Sequence, residues 1–169
     1  MRSISNCRGQ SIVEISLITP LLLVALYVPF DFGVAYFVAH LTQNAVREGA
    51  RVASITTSLD NTKAGNVANN VYANLPEWLV SGSPAAKDVT VTLFANGAPD
   101  CVQVVEVKAR GTYNFFWYRL IGLIGLTPPG PVEITRTTRM RYEKQPDRNG
   151  GTTSTTDVCA TSTASATRP

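Results

Sequence analysis

The sequence predicts an α+β fold: one long N-terminal helix, then a small antiparallel sheet accompanied by a short helix. Three observations carry this. Residues 15–30 and 32–46 contain no charged side chain, and Asp31 alone separates the two runs. Segments 88–94, 101–110 and 132–143 alternate apolar and polar residues, the period of a half-buried strand. Residues 62–75 carry Val67, Val71 and Leu75 at helical spacing, between the capping residues Asp60 and Thr62 and the terminating Pro76.

The first element is a helix over residues 10–58, preceded by a short basic start, residues 1–9. A membrane-spanning helix needs about 20 apolar residues, and the stretch from about 15 to 38 supplies them. Arg2 and Arg8 precede it with no acidic residue, so the bias of positive charge toward the cytoplasm places the N-terminus inside and the rest of the chain outside. A cleaved secretory signal is the competing reading. The apolar stretch is too long for one, no convincing A-x-A site follows promptly, and the helical pattern runs on past it. Val38, Leu41, Ala45, Val52 and Ile55 can share one face of that continuation. Ala45, Gly49 and Ala53 recur every fourth residue and would permit close approach of another element. Pro20 and Pro29 each remove a backbone hydrogen bond inside the span, which membrane helices tolerate when local adjustment satisfies the freed carbonyls.

The outer domain, residues 59–143, begins with the second helix. After the loop SGSPAAK, Val89, Val91 and Leu93 form the apolar face of a first strand. The turn NGAPD leads into a second, with Val105, Val107 and Ala109 alternating against Glu106, Lys108 and Arg110. In the last strand Val132, Ile134, Met140 and Tyr142 share a face that Arg136 interrupts, which calls for a bulge or an edge position. Between these strands lies the apolar region 114–126, too short for a second span. It can close the core, or form an exposed patch against lipid, the helix or another subunit. Residues 144–169 are rich in Ser and Thr and read as a disordered tail.

The chain of 169 residues has a net charge of +3, too mild to point to a nucleic-acid partner. The cluster Arg136, Arg139, Arg141 and Lys144 reads as a solvated strand face. The single histidine, His40, falls at the membrane interface. With no Gly-rich phosphate loop, G-x-S-x-G motif or metal-ligand spacing, the sequence offers no basis for an enzyme, a cofactor, a metal or a small-molecule substrate. Cys7 precedes the span; Cys101 and Cys159 follow it. Outside the cytoplasm these two are placed to form a disulfide, the alternative being that Cys159 stays unpaired or pairs between chains.

Two carboxylates stand at the margins of the span, and they are costly in hydrocarbon. Glu14 is the fifth residue after Gly9. A glycine after a short basic leader, a polar residue, a glutamate at that spacing and then an apolar helix resemble a type IV prepilin. The fuller pattern RGQSIVEISLITPLLLVAL, then FDFGVAYFVAHLTQNAVREGARVAS, resembles the TadE-like minor pilins or pseudopilins of tight-adherence (Tad, Flp-type) pilus and secretion systems. ITRTTRMRYE is a weaker echo of the same pattern. The resemblance implies a pilin-like fold, cleavage between Gly9 and Gln10 by a prepilin peptidase, and assembly in the inner membrane with other pilin subunits and Tad machinery. Cleavage would leave an α-amine on Gln10, one helical turn from Glu14, where the two could pair within or between subunits. An acidic residue before Phe-Gly also belongs to the TadE-like pattern, so Asp31 is expected to share in assembly. Physically it marks the outer hydrocarbon boundary or pairs with a basic residue of another subunit. The competing reading is an uncleaved single-span envelope protein whose outer domain binds a ligand.

Overall fold

The computed structural model describes residues 8–57, 59–95, 102–116, 130–143 and 164–169, with Gly122, Gly125 and Thr127 besides. The α+β expectation holds. The first helix, α1, runs Arg8–Ile55. Pro20 and Pro29 lie inside it without ending it. Hydroxyls in its apolar stretch fold back on the helix: Ser16 Oγ donates to Val13 O at 2.9 Å and Thr19 Oγ1 to Ile15 O at 2.7 Å. Polar side chains are thereby satisfied within the segment, as a hydrocarbon environment requires.

The chain divides into two compact units. One groups α1 up to Tyr36 with Phe115–Gly130; the other comprises Phe37–Asn114 and Pro131–Pro169. Among the described residues the second unit holds α2 (Asn61–Ala73) and five strands: β1 (Leu79–Val80), β2 (Asp88–Ala95), β3 (Gln103–Tyr113), β4 (Val132–Arg141) and β5 (Ser165–Arg168). All pairings are antiparallel. β3 is central, with β4 along one side and β2 and then β1 along the other; β5 lies beyond β2.

α2 is capped by Asp60, whose carboxylate accepts from the Lys63 N–H at 2.8 Å. Its buried residues are Ala64, Val67, Ala68 and Val71. Val89, Val91 and Leu93 of β2 and Val105, Val107 and Ala109 of β3 supply the sheet side of the core. The alternation read from the sequence therefore gives the correct inner face. Arg136 needs no bulge: β4 pairs with β3 without interruption from Val132↔Tyr113 to Arg141↔Val104, and its edge position leaves Arg136 half-exposed.

Two expectations are corrected. The tail from 144 to 169 is not irregular to its end. Residues Ser165–Arg168 form β5, paired with β2 from Val89↔Arg168 to Thr92↔Ser165. Leu93 N–H donates to Ala164 O at 2.8 Å, and Ala164 is buried. A strand this polar forms because backbone hydrogen bonds to a sheet edge do not depend on side-chain hydrophobicity. The packing stripe of α1 is also rotated from the expected one. Val38, Thr42, Val46, Gly49, Ala50 and Ala53 are buried, while Leu41 and Ile55 are exposed. The core selects the small residues, because they let the sheet and α2 come close to the helix backbone.

Candidate functional site

The residues singled out for function lie on α1. Gly9 falls in its first turn, and Gln10 and Glu14 are exposed. The Gln10 side-chain amide donates to Glu14 Oε1 at 3.5 Å, a weak i,i+4 contact that places the two groups on one face. Asp31 is 17 residues further on, about 26 Å along a helix rising 1.5 Å per residue. The structure therefore brings Gln10 and Glu14 together and holds Asp31 apart.

Between these points the helix surface is bare. Ile12, Val13, Ile15, Leu17, Leu21, Leu22 and Leu26 are each more than 60% exposed. A soluble monomer rarely presents an apolar surface of this extent. The helix is long and apolar enough to cross a membrane, and lipid or neighbouring helices would satisfy such a face.

Asp31 is the exception, with only 1% of its surface accessible. Its Oδ1 accepts from the Phe116 N–H at 3.3 Å. Beside it, the rings of Phe32 and Phe115 meet at 5.4 Å with a 59° tilt. The apolar region 114–126 thus touches the helix at its described start, one of the alternatives its composition allowed. Sequence reasoning missed the carboxylate–amide contact. The available signal was an acidic residue between two phenylalanines, Phe30 and Phe32, and a second Phe-Phe pair shortly after a strand. His40, expected at an interface, is exposed on α1. Cys101 and Cys159 lie outside the described residues, as does the turn NGAPD.

In the second unit, polar groups hold structure together. Tyr142 Oη accepts from the Leu59 N–H at 3.2 Å and donates to Thr56 O at 2.5 Å, tying the end of β4 to the exit of α1. Gln43 of α1 donates to Thr138 of β4 at 2.9 Å. On the outer sheet face Asp88 pairs with Arg110 and Glu106 with Arg139, each directly opposite in register. The hydrogen bond that Arg110 donates to Asp88 raises the pKa of Arg110, and the one that Arg51 donates to Glu48 lowers that of Glu48. These are cross-strand and in-helix pairs, Asp88 being buried and its partner Arg110 exposed, and they form no catalytic constellation among the described residues. Among the described residues no three His, Cys, Asp or Glu side chains gather as metal ligands would. A groove of about 390 Å3 runs between α1 and α2, lined by Leu41, Ala45 and Val52 on one side and Val67 and Val71 on the other.

No curated protein and no solved structure matches the chain. A family model does, and its match begins at Gly9, covers Glu14 and Asp31, and stops four residues before α1 ends. The family is that of the TadE-like proteins: its model matches residues 9–51, so the stretch of this chain that is TadE-like is its N-terminal helix.

Proposed function

We propose that the protein is a membrane-anchored minor pilin, or pseudopilin, of a Tad-type pilus or secretion system. It is processed after Gly9 and assembles through α1. The observation that carries this reading is an exposed apolar helix with Glu14 at its start, within the TadE-like match over residues 9–51. The match to a TadE-like, pilin-related family supports a role in assembly rather than in chemistry.

The mechanism follows from the charges. Cleavage before Gln10 would create an ammonium group at the helix N-terminus, within reach of a carboxylate one turn along. In lipid an unpaired carboxylate costs several kcal/mol, and pairing removes most of that penalty. Glu14 then favours states in which its own or a neighbouring N-terminus stands beside it, which biases helices to pack in register. Because Arg8 and Gly9 are helical here, the peptidase must unwind one turn, and glycine keeps that step easy. The anchor sits in the inner membrane with its N-terminus cytoplasmic, as Arg2 and Arg8 favour. Its partners are other pilins, the Tad machinery and the prepilin peptidase.

The test is the N-terminal mass of the protein from cell envelopes, with and without the peptidase. A chain beginning at Gln10 only when the peptidase is present is the expected result. Retention of residues 1–9 in both strains would overturn the pilin reading and leave a simple single-span anchor.

A further inference from the structure

Asp31 is buried although its neighbours Phe30 and Phe32 are 57% and 52% exposed. The chain that leaves β3 lies against it. Phe116 donates its N–H to Asp31, and the Phe115 ring, 7% exposed, packs on Phe32. Phe116 itself is 69% exposed. Phe30, Phe32 and Tyr36 are exposed at the same end of the apolar stretch, within about 9 Å of helix rise. From Ile12 to Asp31 the helix advances about 29 Å at 1.5 Å per residue, close to the thickness of a bilayer's hydrocarbon core of about 30 Å. Trp and Tyr, whose rings are amphipathic, concentrate at such a boundary, and exposed Phe side chains of interfacial segments bury at the junction of headgroups and acyl chains.

We propose that Phe115 and Phe116 form a second membrane contact. Asp31 pins it to α1 by accepting the Phe116 N–H, and the Phe116 side chain seats in the outer interfacial layer of the bilayer. The partner is lipid, because the surface is continuous with the spanning part of α1 and lies at its boundary. The contact also gives the buried carboxylate a structural role: it accepts from a backbone donor at the interface. The proposal rests on the reading of α1 as a membrane span and does not depend on pilin assembly.

The test places one tryptophan at a time in the full chain, reconstituted in phosphatidylcholine–phosphatidylglycerol vesicles. Trp78 and Trp117 are replaced by Phe, and Phe116→Trp or Leu22→Trp is added. Lipids brominated near the headgroup or near the chain end quench the emission. Leu22→Trp reports whether α1 spans, and quenching by the deep label is expected. For Phe116→Trp, shallow bromine should quench at least twofold more strongly than deep bromine. If Leu22→Trp responds but Phe116→Trp is quenched by aqueous iodide and not by lipid, the proposal fails. It fails equally if Phe116→Trp is shielded from both, which would mean that protein covers it. Failure of Leu22→Trp would instead refute the span. Asp31→Ala should at least halve the shallow quenching of Phe116→Trp while Asp31→Asn, which keeps an acceptor oxygen, preserves it. Equal quenching in both would remove Asp31 as the positioning residue.

Discussion

A β-carbon at Gly49 would stand 2.2 Å from Val71 Cγ2 and 3.7 Å from Val107 Cγ1. The small-residue repeat in α1 thus serves contacts inside the chain, with α2 and the sheet, at this position. Gly49→Ala should destabilise the second unit by about 1–3 kcal/mol through overpacking, despite the roughly 1 kcal/mol gain in helix propensity. Adding Val71→Ala should recover part of that loss, measured by thermal unfolding of the full chain in detergent. Gly111 has a similar constraint, since a β-carbon there would meet Leu79 Cγ at 2.5 Å. Tyr142 works by hydrogen bonding instead. Tyr142→Phe leaves the Leu59 N–H without its hydroxyl partner and should cost about 1–3 kcal/mol. A loss under about 0.5 kcal/mol would show that another group takes over.

At the scale of elements, the edge strands divide the labour differently. β4 is held by a long ladder to β3 and needs little from its charges. Arg139, 68% exposed, pairs with Glu106, yet Arg139→Ala should change stability by less than about 1 kcal/mol, as exposed pairs do. β5 has only four residues and depends on its backbone ladder and on Ala164. Ala164→Asp would put a carboxylate at a buried site and should lower the melting temperature distinctly. Thr167→Asp, on the exposed side of the same strand, should stay within about 0.5 kcal/mol. Equal effects from both would mean that β5 contributes little. β5 was illegible in the sequence because Ser165, Thr167 and Arg168 carry no apolar alternation; only the exposed edge of β2 gives them a partner. α2 was legible, since its cap, its Val67–Val71–Leu75 spacing and its terminating proline are all local signals.

For the molecule as a whole, the apolar helix and the folded second unit impose different requirements. The second unit has its own core of Val, Leu and Ala from two helices and a sheet. The exposed half of α1 has none, and its stability depends on lipid or on neighbouring helices. On the proposed pilin role, Glu14→Ala should leave folding of the second unit unchanged while reducing incorporation into assemblies severalfold, read by co-purification with pilin subunits from membranes. Glu14→Gln, which keeps a hydrogen-bond acceptor but no charge, should resemble Ala if ion pairing is the operative interaction. Normal assembly of both variants would refute a role for the carboxylate.

The sequence by itself determined the long apolar helix, the TadE-like character of its N-terminal stretch, the second helix and the inner faces of β2 and β3. Each rests on a local signal: periodicity, capping residues, or a motif read in one stretch of chain. Tertiary structure alone decided the rest. It rotated the packing face of α1 toward Gly49, Ala50 and Ala53, made a strand of Ser165–Arg168, and buried Asp31 under the Phe116 amide. In each case the deciding partner is remote in sequence. A missing β-carbon, an open sheet edge and a buried carboxylate acquire their meaning only when that partner arrives.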